Sequence, residues 1–427
     1  MSPAKILYVV LDGLGDRPTP ALGGRTPLEA AATPHLDRLA AVGQQGLVTT
    51  VGEGIAPESD VAVTAILGYD PMRYHTGRGP LEALGVGLPF HDGDLALRGN
   101  FATGGEGRRI VDRRVGRTLT AEEARALAES VTAQVRLEAA PARVVVAASI
   151  GYRCAVVFYP QAGRLSAQVS NTDPAYARVG GLGVALNAFT EEVVPCTALE
   201  DTAEARAAAA LVNEFTEKSR ALLDAHPVNA RRRAEGKLPA NLILLRDGGD
   251  HLPRVPSMEE RFGLRWGCFV EMPVERGIAR SLGMSVVEVP HRAGAPRAEV
   301  YRAWAARALE VLPAHDGLYL HLKGPDEPGH DGDAEGKRRV IEEIDAHFFG
   351  TLLAGLDLAA TLVAVTADHA TPCALRGHAA DPVPLLLAGA AVTGDGAGRF
   401  TERDAAGGAL GRLRGVEIVP LLVARRY

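Results

Sequence analysis

Residues 5–15 read KILYVVLDGLG: six apolar or aromatic residues without a break, closed by Asp12 and Gly13. So short a run, rich in valine and aromatic character, predicts a buried strand. Because both of its faces are apolar, it belongs in a parallel sheet covered on two sides. One lysine precedes it, and Asp-Gly follows in place of a small-residue cleavage site, which separates it from a secretory leader. Comparable runs at 242–245, 318–322, 362–366 and 384–387 alternate with helical segments, the pattern of an α/β fold with a doubly wound, mostly parallel sheet.

Thr33 before Pro34 in TPHLDRLAAVG predicts a capped helix start with proline in the first turn. Over residues 333–352, Val340, Ile341, Ile344, Phe348 and Leu352 recur at helical spacing opposite a charged face. Between about residues 77 and 180 the texture changes to short β-like runs, LALRGNFAT, RVVVAAS, YRCAVVFY and RLSAQVS, with one helix at 121–130. That change predicts a smaller α+β domain, residues 77–180, inserted into a discontinuous core of 1–76 plus 181–427. The polar helical stretch 202–235 then leads the chain back to the core.

The chain has 427 residues, 47% of them apolar, enough for two domains with sizeable cores. A net charge of −6 gives no basic field for nucleic acid, and small molecules are the expected partners. No apolar stretch approaches the roughly 20 residues of a membrane span. Four scattered cysteines without a CxxC pair suit neither a disulfide framework nor a thiolate metal site, so a reducing cytoplasm is expected. The sequence assigns no oligomeric state.

In a doubly wound sheet, residues just after the strands converge on one crevice. Asp12 follows the first strand, Asp326 and His330 follow LYLHLKG, Asp368 and His369 follow TLVAVTA, and His378 precedes PVPLLL. Alone, Asp12 is a turn residue. Together, three aspartates and three histidines at one sheet edge suffice for two divalent ions, with manganese and zinc both suited to the oxygen and imidazole donors. Ser59 heads the apolar helix pattern in PESDVAVTAI and by itself reads as an N-cap. Beside a metal cluster, a hydroxyl at a helix N-terminus becomes a candidate nucleophile. Arg113, Arg114 and Arg117 of DRRVGR, with Arg78 and Lys323, are candidate contacts for a substrate carrying phosphate and carboxylate, and single arginines are otherwise ordinary surface. Asp173 of SNTDP and Asp112 of DRRVGR are candidate acid/base groups.

The stretches VVLDGLGDRP, SDVAVTAILGYDP, YHTGRGPLEALG, DRRVGR, SNTDP, HPVNARRRAEGKLPAN, KGPDEPGHDGD, TADHATP and GHAADPVPLLL resemble the archaeal-type cofactor-independent phosphoglycerate mutases, members of the alkaline phosphatase superfamily. The resemblance spans residues 8–387. It implies a phosphatase-like core holding one ion on Asp326, His330 and His378 and another on Asp12, Ser59, Asp368 and His369, with the inserted domain closing over the substrate. It also implies interconversion of 3-phosphoglycerate and 2-phosphoglycerate in glycolysis and gluconeogenesis, through a phosphoserine. Two divalent ions are needed on this reading, manganese first, with zinc, cobalt or magnesium as alternatives, and no 2,3-bisphosphoglycerate. Here SDVAV stands where the commoner archaeal wording is SDTAH, a departure that bears on substrate fit more than on chemistry.

Three other readings use the same residues. A phosphomonoesterase would release the phosphoryl group to water. A homoserine kinase-like phosphotransferase would pass it to another hydroxyl, although no P-loop GxxxxGK[ST] is present. A binding protein would keep the metals without turnover.

Overall fold

The computed structural model describes residues 4–74, 76–179, 182–186, 188–289, 294–390 and 392–426. They form two compact units, the first made of Met1–Tyr74, Val255–Glu271 and Leu282–Tyr427, the second of His75–Arg254 and Met272–Ser281.

The first unit is built on an eight-stranded sheet. In chain order its strands are β1 (Lys5–Leu11), β2 (Gln44–Thr49), β3 (Trp266–Phe269), β4 (Ser285–Val286), β5 (Gly317–Leu322), β6 (Thr361–Thr366), β7 (Val383–Gly389) and β8 (Gly411–Arg414). Their spatial order is β4-β3-β5-β1-β6-β7-β2-β8. β1 lies between β5 and β6, parallel to both, with Leu11 opposite Leu322 and Val10 opposite Thr366. From Ile6 to Leu11 every residue is wholly buried, as the unbroken apolar run requires. β7 departs from the parallel expectation: it runs antiparallel to both β6 and β2. No helix separates Thr366 from Val383, and a parallel return needs a crossover, usually helical.

The apolar stripe at 333–352 is real, and Val340, Ile341, Ile344, Phe348 and Leu352 are all buried. The helix is not uniform: Ala334–Ile344 passes through a π turn, Asp345–Phe349, into Gly350–Gly355. Helix Pro34–Val42 begins after Thr33, but the Thr33 side chain makes no capping bond. Instead Asp345 accepts the N–H groups of His35 and Leu36 at 3.2 and 2.8 Å. A distant carboxylate supplies the acceptor that local sequence assigned to threonine.

The second unit contains an antiparallel sheet in which Leu95–Gly104 pairs with Ile110–Asp112, Arg153–Pro160 and Leu242–Gly249, and Arg153–Pro160 pairs with Ala142–Ala148. Its extent corrects two expectations. The run at 242–245 belongs to this sheet, with Leu242 opposite Ala102, and not to the parallel core. Helix Ala203–Asp224 packs into the same core, Phe215 meeting Phe158 edge-on at 5.6 Å between ring centroids. The unit therefore extends to Arg254 where the sequence expected it to close at 180. An apolar run shows that a strand will be buried but not which strand it will pair with. RLSAQVS forms no named strand; only Val169 makes an isolated bridge, to Ala198.

Candidate two-metal centre

Parallel neighbours β5, β1 and β6 end side by side, so the residues after them are forced together. Asp12 follows β1 directly, Lys323 follows β5 directly, and Asp368 lies two residues beyond β6. Asp326 and His330 sit on the short helix Asp326–Asp331, one turn apart, and His378 lies in the loop before β7. Two triads result, Asp326 with His330 and His378, and Asp12 with Asp368 and His369; within each, the candidate ligand atoms lie within 4.8 Å of one another. His369 and His378 stack at 3.8 Å between ring centroids, which places the triads side by side.

Gly13 is required here on two grounds. Its φ is +62°, and a Cβ would stand 2.7 Å from both Asp326 Oδ1 and Thr371 Oγ1. Its N–H donates to Asp368 Oδ1 at 3.1 Å.

The donor atoms fit divalent ions. Four donors placed tetrahedrally at about 2.1 Å from an ion are roughly 3.4 Å apart. In the first triad, His330 Nε2 is 3.5 Å from Asp326 Oδ2 and His378 Nε2 is 3.7 Å from Asp326 Oδ1. In the second, His369 Nε2 is 3.2 Å from Asp368 Oδ2 and 3.5 Å from Asp12 Oδ1. Asp12 Oδ1 and Asp368 Oδ2 are buried and accept no hydrogen bond from the described residues, a costly arrangement for carboxylate oxygens unless a cation takes their lone pairs.

Ser59 is the first residue of helix Ser59–Ile66, with Glu58 in the cap position before it. Its hydroxyl lies 3.5 Å from His369 Nε2, the same spacing as the ligand pairs. The cap position that local sequence gave to Ser59 belongs to Glu58, and the Ser59 hydroxyl stands beside the second triad.

Burial opposes charge on the Asp12 carboxyl, but Lys323, with Nζ 3.0 Å from Oδ2, and the imidazoles of His321 and His369 hold it well below its usual range. Burial likewise opposes charge on Asp368, and His369 and His321 bring it down despite the repulsion of Asp12. His369 is pulled down by burial and pushed up by Asp368, Asp326 and Asp12, ending at about 9. Burial, with His369 alongside, lowers His378. The charged carboxylates and the raised imidazole of His369 favour positive charge at this cluster, and a divalent ion bound there would displace a proton from His369.

His321 was not among the expected site residues. It is wholly buried in β5, with Nε2 3.7 Å from Asp12 Oδ1 and 3.6 Å from Asp368 Oδ2, and Nδ1 3.1 Å from the Tyr319 hydroxyl. A histidine inside the apolar run LYLHL was the available signal. Lys337 and Thr371, also missed, support the loops around the triads.

The other expected residues lie in the second unit. Arg78 is buried, with Nε 2.9 Å from Glu82 Oε1. Arg98, missed in the sequence, shares Glu82 at 3.7 Å, and burial beside Arg246 and Arg78 lowers it to about 9. Arg113, Arg114 and Arg117 line a groove of about 470 Å³ together with Phe189. Val115, Gly116 and Arg117 there all take left-handed backbone, φ 54°, 59° and 57°, a strained conformation for a valine. Asp112 holds it: Oδ1 accepts the N–H groups of Arg114 and Gly116 at 2.7 and 2.9 Å. Asp173 is fully buried in a two-pronged pair with Arg113, at 2.9 and 2.7 Å, and also meets Arg246. Both aspartates are committed to holding arginines and loop backbone, which weakens their case as acid/base groups.

Comparison with known proteins places these observations in a family. The sequence profile described as 2,3-bisphosphoglycerate-independent phosphoglycerate mutase matches residues 40–229. The protein of that name from Aeropyrum pernix is 47% identical over 97% of this chain and 98% of its own length. A relative from Archaeoglobus fulgidus, carrying the same name with the number 1, is 40% identical over 97% and 96%. Among solved structures, a Pyrococcus horikoshii protein superposes with a TM-score of 0.81 at 32% identity, covering 100% of this chain and 98% of its own. A cofactor-independent phosphoglycerate mutase from Thermoplasma acidophilum gives 0.66 at 31% identity, covering 99% and 100%.

Proposed function

We propose, from the premise that this chain belongs to the family of 2,3-bisphosphoglycerate-independent phosphoglycerate mutases, that it interconverts 3-phosphoglycerate and 2-phosphoglycerate with Ser59 as nucleophile. The observation that carries the role of Ser59 is its hydroxyl, at the first position of its helix and 3.5 Å from His369 Nε2.

Asp326, His330 and His378 would hold one divalent ion, and Asp12, Ser59, Asp368 and His369 the other. When bound, such ions supply Lewis acidity, favouring the ionised hydroxyl and neutralising phosphoryl oxygens. Manganese is the ion we propose, and reconstitution with manganese, cobalt, zinc or magnesium ranks the four. Ser59, at a helix N-terminus that favours an anion, attacks the phosphorus in line. The ester bond to the substrate's 3-oxygen breaks, leaving phosphoserine and glycerate. Glycerate reorients, its 2-oxygen attacks the same phosphorus, and the Ser59 oxygen is released. Lys323 presents an ammonium beside Asp12 for the phosphoryl oxygens. Arg113, Arg114 and Arg117, with Arg78, are proposed to bind substrate oxyanions, and Asp112 and Asp173 to position them. The four buried free cysteines suit a reducing cytoplasm, and among the described residues no helix is long and apolar enough to cross a membrane.

The test supplies 3-phosphoglycerate labelled in its phosphate and follows label on the protein, 2-phosphoglycerate and free phosphate. Wild type should give labelled phosphoserine and 2-phosphoglycerate, and Ser59→Ala neither. Label retained on the Ser59→Ala protein would refute the nucleophile, and free phosphate as the main product would make the chain a phosphomonoesterase.

A further inference from the structure

Every imidazole of the two triads turns Nε2 toward its cluster and has Nδ1 beside an oxygen. For His378 that oxygen is the Pro57 carbonyl, 2.8 Å away, and for His330 the Arg376 carbonyl, 3.2 Å away. A carbonyl only accepts, so Nδ1 carries the proton and Nε2 keeps its lone pair. His369 differs, because its Nδ1 partner is a side chain, Thr371 Oγ1 at 3.1 Å.

The same hydroxyl lies 2.6 Å from Asp326 Oδ1. An ionised carboxylate only accepts, so the one hydroxyl hydrogen goes to Asp326 and the oxygen receives the Nδ1–H of His369. Thr371 therefore orients a ligand of each triad at once. It is wholly buried, and its backbone is fixed on both sides: the N–H donates to Gly15 O at 2.9 Å, and the carbonyl accepts from Lys337 Nζ at 2.9 Å. The glycine at 13 leaves room for this contact.

We propose that Thr371 is a positioning residue that couples the two metal triads, setting the His369 tautomer in one and the Asp326 carboxylate in the other through a single hydroxyl. Removing the hydroxyl weakens ion binding at both sites, although Thr371 is a ligand at neither. The proposal rests on the two-metal reading of the site.

The experiment titrates Mn²⁺ into metal-stripped, full-length wild type, Thr371→Val, Thr371→Ala and Thr371→Ser by calorimetry, with stoichiometry checked by equilibrium dialysis. Wild type should take two ions. Losing an outer hydrogen-bond partner commonly costs about 10–100-fold in metal affinity, so Val and Ala should each weaken both sites by about that factor. Ser, which keeps the hydroxyl, should stay within about threefold. Nitrogen-15 imidazole spectra should show His369 protonated at Nδ1 in ion-loaded wild type and Thr371→Ser. In Thr371→Ala that tautomer should lose its dominance. If the valine methyl against Asp326 prevents folding, Thr371→Ala carries the comparison. Wild-type affinity at both sites in Thr371→Ala, or weakening at one site only, overturns the coupling while leaving the two-metal reading intact. Wild type taking fewer than two ions overturns that reading, and the coupling with it.

Discussion

Lys337 stands on the apolar stripe of helix Ala334–Ile344, three residues before Val340 and four before Ile341, and no part of it reaches solvent. Its ammonium has three hydrogens and meets three acceptors: Gly15 O at 3.0 Å, Asp16 Oδ2 at 2.9 Å and Thr371 O at 2.9 Å. It thus joins the loop after Asp12 to the loop after Asp368 and His369. Lys337→Met keeps an unbranched side chain that ends one atom short of the ammonium and removes all three donors. It strands the buried Asp16 carboxylate, which keeps the N–H groups of Arg17 at 2.8 Å and Cys373 at 3.2 Å. Breaking a buried ion pair from one side costs about 3–5 kcal/mol. The remaining N–H contacts place this case near the lower end, about 3 kcal/mol. Both tryptophans, Trp266 and Trp304, are buried in the first unit, so their fluorescence in urea reports the unfolding of that unit alone. With a slope of about 3 kcal/mol/M, the midpoint of metal-stripped protein should fall by about 1 M. Adding Asp16→Asn to Lys337→Met should return about 1 kcal/mol or more, because the stranded charge is gone. A midpoint shift below about 0.3 M, or strictly additive losses, would refute the tie between the loops.

Two further outcomes are expected. Glu402 accepts from Thr26 Oγ1 at 2.7 Å while its Oε1 is buried without a hydrogen bond from the described residues, and burial raises the carboxyl to about 7. Its folded value exceeds the ordinary 4.5, so the folded state holds the proton longer, and stability from this group falls as pH rises from about 4.5 to about 7 and is level above. The loss is on the order of 2 kcal/mol once partial exposure of the residue is discounted; Glu402→Gln should flatten this part of the urea midpoint against pH, and an unchanged slope would assign it elsewhere. Asp112→Ala removes both N–H contacts that hold the left-handed turn at 115–117 and should raise KM for 3-phosphoglycerate about tenfold, about 1.4 kcal/mol, with kcat changed less. An unaltered KM would dissociate that loop from substrate binding.

Local sequence sufficed wherever one short-range rule decides the outcome. An unbroken apolar run had to be a buried strand, and Asp12, Asp326 and Asp368 at the ends of such runs had to share an edge once the strands were parallel neighbours. The stripe from Val340 to Leu352 fixed the buried face of its helix. Tertiary structure decided everything that depends on a partner distant in sequence. Residues 242–249 and the helix Ala203–Asp224 joined the second unit because Leu95–Gly104 and Phe158 offered them a ladder and a core. β7 turned antiparallel because its connection is free of helix. Ser59 looks like a cap in its own segment, and only the arrival of His369, 310 residues later, puts its hydroxyl beside a cluster of carboxylates and imidazoles. Thr371 and Lys337 gave fainter signals, a threonine after Asp-His-Ala and a lysine on an apolar stripe. A hydroxyl or an ammonium takes its function from the acceptors that surround it, and those are assembled only by the fold.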